Sequence, residues 1–420
     1  MELRKKEQSE LHTKEQSGAE AELKMPLWKA HLSFAVLFII FALDIADRSA
    51  VGAVFPALKE AFGFSDAQLG FVGSVMGFTL VAFVLPVAVL VDKWSRSKMI
   101  AIMVAVWSLM TYLTGLARSY PLLLLTRLGV GIGEAGYGTA STSLISAWYP
   151  QNKRGMMIGI YQGAWTLGMA GGMMLGGYIA KNFGWQYVFG VLAVPGIVLS
   201  IVAWFLPDFK AKKVDQESQV EKEVKPKVKE TFKYIVKTPT LLYAYLGSAA
   251  TYLAISSISN WAPTYFGRAF NLDVQVAAMA VGTISLFTWL GSPFGGWVGD
   301  QLTRKGNSRI NASIMLALAM GVAFLLALNL KDFNVFRVAY LLAAFLMASI
   351  CVNLVTATQH LVPPIYRAVS YAFIPMCNQL LAAIWAPVIV GAISDKIGLN
   401  SALQIMVVVS AVLAATFSYL

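Results

Sequence analysis

The chain has 420 residues, of which 57% are hydrophobic and only 13% are charged, and its formal net charge is +11. Soluble domains carry about 25% charged residues, so this composition excludes a soluble enzyme and requires a membrane environment for most of the chain. The net positive charge does not indicate a nucleic-acid partner, because it is concentrated in the segments between apolar stretches.

Apolar stretches long enough to cross a bilayer as helices occur twelve times along the chain. The first six are at residues 29–55, 68–91, 98–118, 121–148, 155–180 and 186–206. The last six are at residues 239–266, 274–299, 309–330, 337–361, 367–393 and 398–420. We therefore predict an all-α integral membrane protein with twelve transmembrane helices in two six-helix parallel-repeat bundles. The predicted domains are a cytoplasmic N-terminal segment at 1–28, a bundle at 29–206, a cytoplasmic linker at 207–238 and a second bundle at 239–420.

The lysines and arginines gather in the N-terminal segment, in the 207–238 linker and in alternate short loops. This is the positive-inside pattern, and it predicts that both termini lie in the cytoplasm of a multi-pass protein of the cell inner (plasma) membrane. The linker is interpreted as a solvated connection between the bundles, with room for an amphipathic helix at the membrane surface.

The two halves of the sequence repeat each other. Five landmarks recur at offsets of 207 to 214 residues. The pairs are Pro56 with Pro263, Asp92 with Asp300, Arg154 with Arg367, Gly177 with Gly391, and Gly184 with Gly398. Six spans per half give both halves the same orientation, so a rotation about the membrane normal relates them. In proteins built this way the substrate site lies near the bilayer midplane, between the repeats.

Two motifs resemble those of the major facilitator superfamily. The loop after the second span, residues 88–98 (AVLVDKWSRSK), is similar to the signature loop of that family, and residues 296–300 (GWVGD) form its second copy. The fourth span carries residues 127–135 (RLGVGIGEA), which look like the fourth-helix motif of the same family. The resemblance covers residues 29–420. We expect gating roles for Asp92, Arg96, Arg154 and Asp300, which would hold the cytoplasmic face closed through charge pairs and helix-end contacts.

Within this superfamily the chain is most similar to the spinster branch. The shared features are Asp47-Arg48 in the first span, Arg127 with residues 133–137 (GEAGY) in the fourth, and Gly184-Trp185 at the start of the sixth. That resemblance implies an alternating-access carrier of lysolipid-like or sphingoid amphiphiles, exchanged with protons. Anion–cation symporters have a similar Asp-Arg pair in the first span, and a carrier of small carboxylates or sugar acids is the alternative.

Five charged residues lie well inside the predicted spans, and all of them belong to the first and fourth: Asp44, Asp47, Arg48, Arg127 and Glu134. A charge at this depth costs about 2.5–3.5 kcal/mol on insertion scales, so each one indicates a function. Asp44 and Arg48 are four residues apart, and Arg127 and Glu134 are two turns apart, so each pair shares a helix face. We predict that Asp47, Glu134 and Asp44 couple protons and that Arg48 and Arg127 bind the anionic part of a substrate. A static salt-bridge cluster is the alternative.

The second half supplies amides and aromatic rings instead of charges. Further substrate contacts are predicted at Tyr137, Trp165, Asn260, Tyr265, Asn378 and Gln379. With three histidines and two cysteines in the chain, we expect neither a cofactor nor a metal. The expected partners are a small-molecule or lipid-like substrate, protons and the lipid bilayer, with no nucleic acid, and the protein is expected to be a monomer. A membrane-integral enzyme is the less favoured interpretation because the chain has only three histidines for clustered acid–base or metal chemistry. A channel fits the paired but unequal halves less well than a carrier does.

Overall fold

The structure is a computed structural model that describes residues 25–208, 228–363 and 366–419. Most of the predicted N-terminal segment and of the 207–238 linker lies outside the described residues. Within the described ranges all regular secondary structure is helical. This agrees with the all-α membrane fold expected from the sequence.

Seven helices form the N-terminal bundle. They are α1 (Leu27–Phe62), α2 (Asp66–Lys93), α3 (Arg96–Gly115), α4 (Tyr120–Glu134), α5 (Tyr137–Trp148), α6 (Gln151–Asn182) and α7 (Trp185–Trp204). The fourth predicted span is divided into α4 and α5, which are separated by Ala135 and Gly136.

The C-terminal bundle begins after a short helix, α8 (Val228–Lys237), whose Ile235 is buried against Leu241 and Tyr245. Its further helices are α9 (Pro239–Phe270), α10 (Val274–Thr288), α11 (Gly291–Arg304), α12 (Arg309–Leu328), α13 (Phe333–Leu361), α14 (Arg367–Asn378), α15 (Ala386–Ile397) and α16 (Leu399–Tyr419). A π-helical segment, Gln379–Ala383, joins α14 to α15, so this span is irregular near its middle.

Ten helices in the described residues are long and apolar enough to cross a membrane. The spans outside this set are the divided one, whose helices α4 and α5 have only 15 and 12 residues, and the glycine-rich α6. Large apolar side chains on the outside of the bundles are well exposed, for example Leu125 at 63%, Ile201 at 62% and Leu326 at 66%. Such a surface suits lipid, and the chain is a multi-pass membrane protein with twelve spans in two bundles.

The internal repeat is visible in the backbone. Gly184 precedes α7 with φ 104° and ψ 152°, and Gly398 precedes α16 with φ 88° and ψ 155°. L-residues with side chains rarely adopt a positive φ of this size, so glycine is required at the same point of both halves. Pro56 in α1 and Pro263 in α9 likewise occupy corresponding helices.

The two bundles meet at two related interfaces. In one, Gly177 of α6 contacts Ala278 of α10, and in the other, Gly391 of α15 contacts the backbone of Asp66 in α2. Both contacts lie at the same end of the molecule, where α1, α6, α9 and α15 end. We call this end the closed end.

Candidate functional site

A cavity of about 420 Å³ lies between the two bundles, near the middle of the spans. This is within the usual range for small-molecule sites, about 300–1,000 Å³. The polar residues that line it are Arg48, Ser49, Ser74, Arg127, Thr166, Tyr252, Ser256, Ser259, Asn260, Ser285, Thr288, Ser292, Tyr340 and Gln379. Two arginines from the N-terminal bundle are the only charged residues in the described lining.

Arg127 forms a buried pair with Asp47. Its Nη1 and Nη2 atoms donate to Asp47 Oδ2 and Oδ1 at 2.8 and 3.4 Å, and neither residue is exposed to solvent. The guanidinium also lies 4.6 Å from the centre of the Phe189 ring, in cation–π contact. Its Nε has no partner in the described part of the chain. The pair is bidentate and dry, which favours a fixed geometry.

Arg48 sits between two other carboxylates. Its Nε is 3.2 Å from Asp44 Oδ1, and its Nη2 is 3.3 Å from Asp44 Oδ2 and 2.9 Å from Glu134 Oε2. The Glu134 oxygens accept no well-aligned hydrogen bond from a described residue, so the contact with Glu134 is an ion pair of loose geometry. The Arg48 side chain is 27% exposed, whereas both carboxylates are buried. Arg48 is therefore the more accessible cation of the site.

Tyr137 belongs to the same cluster but lies behind it. Its hydroxyl donates to Asp44 Oδ2 at 2.6 Å, and the residue is buried and absent from the cavity lining. Tyr137 was predicted to contact the substrate, but the structure places its hydroxyl against the Asp44 carboxylate, outside the cavity lining.

The cluster contains three carboxylates and two guanidinium groups within a region of low polarity. With all five groups ionised, it carries one unbalanced negative charge. A buried charge without a partner is strongly unfavourable. The site can remove the imbalance by taking up one proton or one cation.

Glycines in α4 allow the cluster to form. A Cβ at Gly131 would clash with the backbone carbonyl of Met76 in α2, and one at Gly133 would lie 2.5 Å from the backbone nitrogen of Trp107 in α3. Close approach of three helices at these points holds α4 deep in the bundle. Arg127 and Glu134 consequently face Asp47 and Arg48 of α1.

The remaining predicted substrate contacts divide into two groups. Trp165, Asn260 and Gln379 line the cavity, as Arg48 and Arg127 do. Asn378 is buried behind it and accepts a hydrogen bond from Ser248 at 3.0 Å. Tyr265 is buried among aromatic rings and donates to the carbonyl of Leu328 at 3.3 Å, so the structure places it in the packing core instead of the cavity.

The predicted gating residues lie at the end opposite the closed end. Arg154 donates from Nε to the carbonyl of Tyr149 at 2.9 Å, which ties the start of α6 to the end of α5. Asp300 forms an ion pair with Arg309 at the start of α12. Arg96 begins α3, and the side chain of Asp92 lies outside the described residues.

Sequence reasoning missed a polar network at the closed end, which we call the Asp66 latch (Lys59, Asp66, Arg268, Ser394 and Asp395). Arg268 of α9 donates to both carboxylate oxygens of Asp66 at 2.5 and 2.7 Å. Lys59 lies 2.6 Å from the same carboxylate, and Ser394 donates to it at 2.6 Å. Asp395 of α15 accepts from the backbone nitrogens of Asp66 and Ala67 at 2.8 and 3.0 Å, so it caps α2 from the other bundle.

A second ion pair joins the bundles at the same end. Lys181 Nζ lies 2.6 Å from Asp273 Oδ2. The hydrogen bond from Lys181 lowers the pKa of the Asp273 carboxyl from its ordinary value, aided by the backbone amide of Gln275. Both side chains are about two-fifths exposed, so this pair contributes less than the Asp66 latch.

The model of the Major Facilitator Superfamily matches residues 37–387 of the chain. A probable galactarate/D-glucarate transporter of Bacillus subtilis (strain 168) is 24% identical over 301 residues, 65% of this chain and 65% of that protein. The protein spinster homolog 1 of Xenopus laevis is 26% identical over 385 residues, 86% of this chain and 72% of its own length.

Among solved structures, a bacterial homologue of the human lysosomal transporter spinster, crystallised inward-facing and unoccupied, superimposes with a TM-score of 0.85. It is 21% identical, and the match covers 93% of this chain and 96% of that one. At this identity the likeness establishes the fold.

Proposed function

The chain is a member of the Major Facilitator Superfamily and a transporter of small molecules, and on that premise we propose that it is a proton-coupled secondary carrier of an organic anion. The observation that carries this proposal is the charge imbalance of the buried cluster, three carboxylates against two arginines that line the cavity. A substrate anion can bind only to an exposed cation. The carboxylates release an arginine for this purpose only after one of them has taken up a proton.

The proposed coupling step takes place at Arg48. A proton on Glu134 or Asp44 removes one negative charge from beside the guanidinium, which then binds the anionic group of the substrate. Loss of the proton on the other side of the membrane re-forms the ion pair and expels the anion. The loose contact with Glu134 and the partial exposure of Arg48 favour this arm of the cluster. Asp47 acts in the same way on Arg127, from a more tightly held pair.

The proposed substrate is an amphiphilic or anionic organic molecule of lysolipid or sphingoid type, supported by the similarity to spinster proteins in sequence and fold. A second candidate, a small carboxylate or sugar acid, is favoured by the similarity to a galactarate/D-glucarate transporter and by the arginines, hydroxyls and amides in the cavity lining. Trp165, Asn260 and Gln379 are proposed to contact either substrate from the walls.

We further propose the setting in which this carrier works. The basic N-terminal segment and linker face the cytoplasm, the protein is a monomer in the inner membrane, and the closed end faces outward. The bundles of residues 29–206 and 239–420 rock about the cavity, and Asp92, Arg96, Arg154 and Asp300 hold the cytoplasmic end when it closes.

The test is uptake into proteoliposomes of radiolabelled D-glucarate and of lysophosphatidic acid under an imposed pH gradient. The proposal predicts saturable uptake of one of them that rises several-fold with the gradient and falls when a protonophore dissipates it. Saturable uptake that is indifferent to the gradient would contradict proton coupling, and the absence of saturable uptake of both would contradict the substrate class.

A further inference from the structure

The wall of the cavity opposite the arginines is a polar face of α9, formed by Tyr252, Ser256, Ser259 and Asn260. The first three residues are spaced at intervals of four and three, so they lie on one side of the helix. All four line the cavity. Sequence analysis identified only Asn260 among them, because polar residues at this spacing are also common where helices pack.

Several polar groups of this face have no partner in the described part of the chain. Ser256 donates to the carbonyl of Ala383 at 3.2 Å, and Asn260 donates from Nδ2 to the carbonyl of Ser256 at 2.9 Å. The hydroxyls of Tyr252 and Ser259 and the Oδ1 atom of Asn260 form no hydrogen bond with any described residue. Most polar groups removed from bulk water are hydrogen-bonded, so these groups are available to whatever fills the cavity.

The polar face of α9 carries no charge, whereas the opposite wall carries Arg48 and Arg127. Its groups are a phenol, two aliphatic hydroxyls and an amide, which pair best with neutral donors and acceptors. Tyr252 of the C-terminal bundle and Arg48 of the N-terminal bundle line the same cavity. A ligand bound to Arg48 through an anionic group therefore presents its adjoining atoms to Tyr252.

We propose that the polar face of α9 binds a hydroxyl group that the substrate carries close to its anionic group, with Tyr252 and Ser259 as specificity-determining residues. This inference rests on the proposed function, since it takes Arg48 as the anion site. The same chemistry occurs in two sources, a polyhydroxylated acid and the glycerol of a lysolipid head group. A site that binds such a hydroxyl group excludes simple fatty acids and unsubstituted dicarboxylates as preferred substrates.

The experiment uses two pairs of probes that differ only in hydroxyl groups. One pair is D-glucarate and adipate, and the other is lysophosphatidic acid and its analogue without the glycerol hydroxyl. Affinities for the purified full chain are measured by calorimetry. For one pair we expect the hydroxylated member to bind about tenfold more tightly, because a ligand without the hydroxyl leaves polar groups of the cavity wall unpaired.

The variants Tyr252→Phe and Ser259→Ala each remove one hydroxyl. We expect either change to reduce the tenfold preference by about half an order of magnitude or more, with the affinity for the analogue lacking the hydroxyl unchanged. Tyr187→Phe, at a residue 63% exposed on the outside of α7, is the matched control and keeps the full preference.

Equal affinities within both pairs for the unmodified chain would overturn the proposal, as would an unchanged preference in both variants or a failure of all four probes to bind. A failed proposed function gives a different result. If uptake does not depend on the pH gradient but hydroxylated probes still bind more tightly, proton coupling is refuted, whereas hydroxyl binding by the polar face of α9 is supported.

Discussion

At the scale of single residues, the two arginines have different environments despite their similar chemistry. Arg127 is fully buried and bound bidentately by Asp47, whereas Arg48 is partly exposed and shared between Asp44 and Glu134. A tightly paired, buried charge is difficult to move, and a loosely shared one is not. We therefore propose that Arg48 exchanges partners readily and that Arg127, whose pair with Asp47 opens less often, mainly shapes the site.

This difference predicts the effect of Arg127→Gln on stability. The substitution leaves Asp47 buried without a counter-charge, and breaking such a pair costs about 3–5 kcal/mol in the free energy of unfolding. We expect a clearly lower melting temperature in detergent, and partial recovery in the double variant Arg127→Gln with Asp47→Asn, where position 47 no longer carries a charge without a partner. Arg118→Gln, at an exposed loop position, is the control. A double variant no more stable than the single one would contradict the assignment.

The residue pairs also show what sequence reasoning achieved at this scale. The i,i+4 spacing of Asp44 and Arg48 predicted their contact, and the structure has it. Asp47 is adjacent to Arg48 in the sequence, but adjacent helical residues point in different directions, and Asp47 pairs with Arg127. The sequence could not show whether Tyr265 lies in the packing core or in the cavity wall, because aromatic residues are common in both.

At the scale of helices, the site depends on close approach between α4 and its neighbours. Gly131 and Gly133 both face backbone atoms of other helices. The divisions of spans at Ala135–Gly136, at Trp289–Leu290 and at the π-helical segment were not predicted. The second and third of these irregularities border the cavity, through Trp289 and through Gln379 and Ala383. Hydropathy does not register such breaks, because they change the direction of a helix and not its polarity.

Two glycine substitutions test the role of this packing. Gly131→Ala puts a methyl group against the Met76 carbonyl and the Thr79 hydroxyl, and overpacking of this kind costs about 1–3 kcal/mol. Gly171→Ala in α6 meets no atom within 4 Å and is the matched control, with a gain of up to about 1 kcal/mol from helix propensity. Melting temperatures of the two variants should move in opposite directions. Equal shifts would mean that α4 does not require the close approach.

At the scale of the whole molecule, the Asp66 latch holds the two bundles together at the closed end. It joins segments that are far apart in the sequence, since Arg268 follows Asp66 by 202 positions and Ser394 by 328, so sequence analysis had no basis for joining them. The repeat predicted that the halves are alike, and the similarly placed Gly177 and Gly391 confirm that their interfaces correspond. The relative placement of the bundles determines which end of the molecule is closed. It depends on tertiary contacts between distant segments, which local sequence patterns do not predict.

The latch predicts a shift in conformation when Asp66 is neutralised. Asp66→Asn removes the charge that Arg268 and Lys59 bind, so the closed end should open more often. Spin labels placed at exposed positions 118 and 331, one in each bundle, should then show a larger population at long distances by pulsed electron resonance. Asp273→Asn at the exposed pair with Lys181 is the control and should have a smaller effect. An unchanged distance distribution in Asp66→Asn would contradict the latch.

The central claim for the molecule as a whole is that the buried cluster couples protons to an anion at Arg48. The most direct test compares pH-gradient-driven uptake by Glu134→Gln with that by Glu60→Gln, which makes the same chemical change at an exposed position of α1. The substrate is whichever of D-glucarate and lysophosphatidic acid the unmodified carrier takes up. We predict that Glu134→Gln loses at least about tenfold of the gradient-dependent uptake while it retains counterflow exchange, and that Glu60→Gln behaves as the unmodified chain. Undiminished gradient-driven uptake in Glu134→Gln would contradict the claim.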